Sequence, residues 1–136
     1  MFILDAQLTK DTHFIKTLDL CDLLLMDNSS YPWIILVPKR ESVSEVIELS
    51  SSDRACLMQE ICYISEIIKE IYNPYKLNIG AIGNIVRQLH IHIIAREQND
   101  PSWPGPVWGD KSPRKFYDED GKNLAIKKII NQLDKN

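Results

Sequence analysis

The sequence predicts an α+β fold, a mainly antiparallel sheet with one long central helix and a C-terminal helix, and three observations carry that expectation. Two β-rich runs flank the turn cluster Asp27-Asn28-Ser29-Ser30, as in an antiparallel pair. A single stretch then carries apolar residues at helical spacing. Two more strand-like runs follow it with only a turn between them, which again favours antiparallel pairing.

The first run covers residues 18–26, where Cys21 and Leu23-Leu24-Leu25-Met26 suit a buried strand. Trp33-Ile34-Ile35-Leu36-Val37 is the second, aromatic and β-branched, and Pro38 closes it. Ser50, with Asp53 three residues on, reads as a capping-box start. Leu57, Ile61, Ile64, Ile68 and Ile71 then alternate spacings of four and three, drawing one apolar stripe along a helix that Asn73-Pro74 ends. Residues 76–82 form a third strand, Gly83-Asn84 a turn, and residues 89–95 a fourth. Prolines and glycines keep residues 100–109 irregular. A last amphipathic helix over residues 123–133 finishes the chain.

The 136 residues fit a single domain, 1–136, and no repeat, linker or low-complexity segment divides them. A chain of this size buries roughly two-thirds of its unfolded surface, enough for a real core. With a formal net charge of −3 and no polybasic run, binding to nucleic-acid backbones or anionic membranes is not expected. A small phosphate ligand needs only a local site and stays open. Cys21, Cys56 and Cys62 form no CxxC pair and read as reduced thiols. No basic stretch precedes a long apolar one near Met1, so no signal peptide is expected, and no apolar run approaches the ~20 residues of a spanning helix. The expected compartment is the cytoplasm.

Chemistry concentrates in Gln88-Leu89-His90-Ile91-His92-Ile93-Ile94. Strand alternation sends Gln88, His90 and His92 to one face and Leu89, Ile91 and Ile93 to the other, with alternate residues about 7 Å apart. Two imidazoles and an amide on one face can share a phosphate group. A histidine nitrogen can act as a nucleophile when it is unprotonated, which requires the other ring nitrogen to donate to a fixed acceptor. A neighbouring imidazole can hold non-bridging oxygens or assist the leaving group. Two other readings stay open: polar residues on a solvated face, and a His-x-His metal site, which would need a third ligand from His13, the cysteines or distant carboxylates.

The segment resembles the histidine triad (HIT) motif, His-φ-His-φ-His-φ-φ with φ apolar, with Gln88 where the first histidine stands. Leu77 to Asn84 is similar to the strand and turn before that motif, and Leu25-Met26-Asp27 with Trp33 to Lys39 is similar to the family's earlier strand pair. The resemblance covers residues 18–96, and residues 100–109 look like bacterial members described as diadenosine tetraphosphate hydrolase-like. It implies a HIT-like fold, a homodimer, and transfer of a nucleotidyl group onto the middle histidine, here His90. His92 would contact the phosphate and Gln88 complete the catalytic set. By the same resemblance Asp27 would bind the ribose hydroxyls, and Asn78, Gly83 and Asn84 would lie near the phosphate. The partner expected is a small nucleotide, with no metal and no cofactor.

Two departures bear on activity. Gln88 cannot titrate, although its backbone carbonyl can still accept the ring N–H of His90. A transferase branch of the superfamily also carries Gln in its motif, in place of the third histidine, which keeps a transferase reading open beside the hydrolase one. Trp33 stands where many members have another histidine. Because the triad is incomplete, a nucleotide-binding module with little catalysis is the alternative function. Among the remaining residues, Trp103 and Trp108 are expected to stack on a purine or anchor their loop. Arg87 and Arg96 read as surface residues, and His13 has no assigned role.

Overall fold

The computed structural model describes residues 1–135. Its elements run α1 (Ala6–Asp11), β1 (Thr12–Thr17), β2 (Cys21–Met26), β3 (Trp33–Pro38), α2 (Ser51–Tyr72), β4 (Lys76–Gly80), β5 (Ile91–Arg96) and α3 (Glu119–Asp134). The sheet order is β1-β2-β3-β5-β4, and every neighbouring pair is antiparallel. The α+β architecture read from the sequence is the one observed.

β3 is buried along its whole length because the sheet is covered on both faces. Ile34 and Leu36 join Leu23, Leu25, Ile91 and Ile93 in a core against α2 and α3, which contribute Leu57, Ile64, Ile68 and Ile129. Each such side chain, fully buried, contributes about 1.5–3 kcal/mol. Trp33, Ile35 and Val37 point the other way and meet Leu8 of α1, Tyr31, Ile94 and Val107. The functional residues lie on this second, thinner side.

α2 begins as its sequence dictates, with Ser50 Oγ accepting from Asp53 N, and ends on Asn73 in the left-handed region at φ 45°. Inside α2, Glu60 is buried because its carboxylate accepts from Leu20 N at 2.9 Å and Cys21 N at 3.0 Å, pinning the β1–β2 turn. Nothing before residue 18 was expected to be regular, yet α1 and β1 are there. α1 has only six residues, too few to be stable alone. It depends on Asp5, whose Oδ1 accepts from Gln7 N, and on burial of Leu8. β1 is an edge strand with a register shift between Phe14 and Lys16, which obscures its alternation.

Three other boundaries differ. β4 stops at Gly80 instead of 82. β5 starts at Ile91 and not 89, because the backbone of Leu89 pairs with a loop, donating to Val43 O at 2.9 Å. α3 begins four residues early, where Asp118 Oδ1 accepts from Gly121 N. Within the irregular stretch 100–109, Val107–Gly109 forms one 3-10 turn. No described helix is long and apolar enough to cross a membrane.

Candidate active site

Alternation survives the late start of β5. Leu89, Ile91 and Ile93 enter the core beneath α2, whereas His90 and His92 face the other side with ring centroids 4.8 Å apart. That is closer than the ~7 Å of alternate strand positions, so the rings converge. Both are nearly buried, at 6% and 5% exposure.

The tautomer of each ring follows from its partner. His90 Nδ1 lies 2.7 Å from the backbone carbonyl of Gln88. A carbonyl only accepts, so Nδ1 carries a proton, and in the neutral ring the lone pair is on Nε2. His92 has the opposite partner: the indole Nε1–H of Trp33 donates to His92 Nδ1 at 2.9 Å. Burial, and secondarily the neighbouring His90, push the His92 pKa down from 6.5 to about 3.

Both histidines open on a cleft of about 550 Å³. Its walls are mostly apolar, from Leu8, Met26, Ile82, Val86, Val107 and Trp108, with Gln7, Asp11 and Asn84 at its polar edge. Gly83 belongs to the lining with φ 68°, a conformation that favours glycine. Trp108 stands with its ring 5.3 Å from that of His92. Its ring packs close to Gly80, where a Cβ would touch Trp108 Cη2 at 3.4 Å.

Of the residues the sequence singled out, His90, His92, Gly83 and Asn84 come together in the cleft. Three others are engaged elsewhere. The Gln88 side chain turns to the N-terminal segment, accepting from Asp5 N at 2.8 Å and donating to Ile3 O at 2.9 Å. Asp27 Oδ1 accepts from Tyr117 N at 2.9 Å, and its Oδ2 lies 3.3 Å from His13 Nε2, so His13 has a partner after all. Asn78 Oδ1 accepts from Arg96 Nη1 at 2.7 Å.

Arg96 corrects the surface reading outright, being 1% exposed. Its guanidinium forks onto both carboxylate oxygens of Asp100 at 2.7 and 2.9 Å and donates to Gly105 O at 2.9 Å. The rings of Tyr31 and Trp103 flank it at 5.7 and 5.4 Å. Trp103 therefore anchors the loop, while Trp108 reaches the cleft. Arg87 remains exposed, as expected.

Sequence reasoning missed the wall built by Gln7, Leu8 and Asp11. The available signal was Asp5, a capping residue ahead of a short helical segment. Among the described residues, no group of three or more His, Cys, Asp or Glu is placed to hold a metal ion.

A five-stranded antiparallel sheet, a long helix on one face and a pair of histidines on the other define a protein of the histidine triad class. The HIT domain model matches residues 7–99, and the chain belongs to that family. The structure is similar to a histidine triad protein from Bradyrhizobium japonicum, at 40% identity over 96% of each chain with a TM-score of 0.93. It is similar to another from Marinobacter aquaeolei VT8, at 41% identity over 98% of each chain with a TM-score of 0.93. A third, from Sinorhizobium meliloti 1021, shares 43% identity over 96% of each chain with a TM-score of 0.92. No curated protein matches the chain.

Proposed function

We propose that this chain is a nucleotide hydrolase or nucleotidyl transferase in which His90 attacks the α-phosphate of a dinucleoside polyphosphate or a nucleoside phosphoramidate. Members of its family are in general nucleotide hydrolases or transferases. The observation that carries the reading is the 2.7 Å bond from His90 Nδ1 to the Gln88 carbonyl, which leaves Nε2 as a lone-pair nitrogen on a cleft-lining ring. A 550 Å³ cleft with apolar walls is large enough for a nucleoside.

In this reaction a bond forms between Nε2 and the α-phosphorus while the P–O or P–N bond to the leaving group breaks. The leaving group departs with that electron pair and takes up a proton. Water, or an acceptor hydroxyl or amine, then displaces His90, losing a proton and releasing the nucleotide. His92 donates to a non-bridging oxygen, whose charge grows in the transition state. Asn84 and the backbone at Gly83 take phosphate oxygens at the rim. The polar contributions of Asp27, Asn78 and the Gln88 side chain are indirect, through the segments they tie down. The active unit is a homodimer in the cytoplasm. β4 is an unpaired sheet edge that exposes Ile79, with Ile82 and Ile85 following it, a surface suited to a second copy.

Rapid acid-free denaturation during turnover, followed by intact-mass analysis, is expected to find one acid-labile nucleotidyl adduct, absent in His90→Ala. If wild type and His90→Ala bind AMP alike and turn over a panel of adenosine derivatives equally slowly, the chain is a binding module and the proposal fails. Light scattering tests the dimer.

A further inference from the structure

We propose that Trp33 is a positioning residue, which locks His92 into the Nε2–H tautomer and so makes the outer imidazole an obligate neutral hydrogen-bond donor. Its catalytic consequence rests on the function proposed above; the tautomer assignment does not.

An indole nitrogen donates and never accepts. With Trp33 Nε1 at 2.9 Å, His92 Nδ1 can only be the acceptor, so the ring proton sits on Nε2. The contact follows from strand register. Ile35 lies opposite His92 and Trp33 opposite Ile94, which makes Trp33 and His92 diagonal neighbours on one face of the sheet. The indole is also braced from behind. Its ring meets Tyr31 edge-on at 6.2 Å, and the Tyr31 hydroxyl donates to Asp110 Oδ2 at 2.7 Å. Trp33 itself is 7% exposed, so little of the indole meets solvent.

Protonating His92 would place a second N–H against the indole N–H, and one of the two would lose its partner inside the protein. His92 therefore cannot serve as an imidazolium acid without breaking its tie to Trp33. The two rings acquire opposite polarity: His90 keeps a lone pair on Nε2, and His92 presents Nε2–H. One can attack phosphorus while the other holds an oxygen of the same group. The charged and titratable groups around His92 are His90 beside it, Asp11 of α1 at the cleft edge, Tyr31 and Asp110 behind the indole, and Arg96 further along β5.

The test is nitrogen-15 NMR of the imidazoles in the full chain, across pH, with and without Trp33→Phe. In wild type, His92 Nδ1 is expected to be unprotonated and Nε2 protonated, with no imidazolium near neutral pH. Trp33→Phe keeps bulk and removes the donor, so Nδ1 becomes protonatable and His92 charges at higher pH. On a turned-over adenosine substrate, kcat falls about tenfold at pH 8, where the neutral ring can take the Nδ1–H tautomer and lose its Nε2 donor, the equivalent of ~1.4 kcal/mol, with KM changed less than twofold. A wild-type His92 protonated on Nδ1 would overturn the assignment without any variant being made. So would a Trp33→Phe protein whose His92 keeps the wild-type tautomer and titration. If wild type processes no nucleotide while its His92 behaves as described, the proposed function falls and the assignment stands.

Discussion

Gln88 serves His90 through its backbone and the N-terminus through its side chain. Its carbonyl accepts from His90 Nδ1 at 2.7 Å, while its amide closes a two-point pair with Ile3 O and Asp5 N. The residue that departs from the triad pattern is thus joined to the nucleophile and to the segment that leads into α1.

The first prediction separates these two roles. Gln88→Ala leaves the carbonyl in place but frees residues 3–5, so it is expected to cost about 1–2 kcal/mol in urea unfolding, as for two lost hydrogen bonds. Hydrogen exchange at the Asp5 amide accelerates at the same time. Gln88→Glu costs more at pH 7 than Gln88→Ala, because a carboxylate then faces Ile3 O. Gln88→His cannot span both partners and is expected to lower stability without raising turnover. A large gain in turnover for Gln88→His would mean that an acid–base group is missing at this position.

Acid stability is set in part by His92. Its folded-state pKa is depressed to about 3 by burial and by His90, against 6.5 in the unfolded chain. Between those values the unfolded chain binds the extra proton, so stability falls as pH falls. From pH 7 to 5 the loss from His92 is about 2 kcal/mol. His92→Asn removes this term while the carboxylates are common to both proteins. The gap between wild type and variant in denaturant unfolding should therefore change by about that amount between pH 7 and 5. A gap independent of pH over this interval refutes the assignment.

The sequence made the sheet-helix-sheet order and the His90/His92 pair readable because each depends on local periodicity. The long apolar stripe of α2 and the alternation through residues 89–93 persist whatever surrounds them. What was not readable depends on distant partners. α1 forms only when Leu8 finds Ile35 and Ile94, and Arg96 looks like a surface cation until Asp100, Asn78 and Gly105 close around it. Asp27 illustrates the converse: its position suggested a ligand contact, but Tyr117, ninety residues later, claims one of its oxygens.

Trp108 is expected to cover a bound base. It is 36% exposed, lines the cleft, and its ring lies 5.3 Å from that of His92. Stacking on a base is worth roughly 1–3 kcal/mol, so Trp108→Ala should weaken AMP binding at least fivefold by calorimetry, with Trp108→Phe retaining most of the affinity. Gly80→Val should act in the same direction, because a Cβ there already touches Trp108 Cη2 at 3.4 Å and the methyl groups beyond it would press on the ring. Unchanged affinity in Trp108→Ala would put the base elsewhere.

Arg96 is expected to hold the loop that carries Trp108, through its bonds to Asp100 and Gly105. Its planar fork satisfies Asp100 at two oxygens and reaches Asn78 and Gly105 besides, a geometry no ammonium group reproduces. Arg96→Lys keeps the charge yet leaves part of that set unpaired in a site 1% exposed. Removing one partner of a buried ion pair costs about 3–5 kcal/mol, and Arg96→Ala should approach that range, with Arg96→Lys between it and wild type. The loss should be local before it is global. Residues 97–105 lead directly into the 3-10 turn Val107–Gly109, so hydrogen exchange over 97–109 is expected to rise while β2 and β3 stay protected. AMP affinity in Arg96→Lys should fall toward that of Trp108→Ala, and the double variant should bind no worse than Trp108→Ala alone. Additive losses would show that Arg96 acts on the nucleotide by a route that does not pass through the tryptophan.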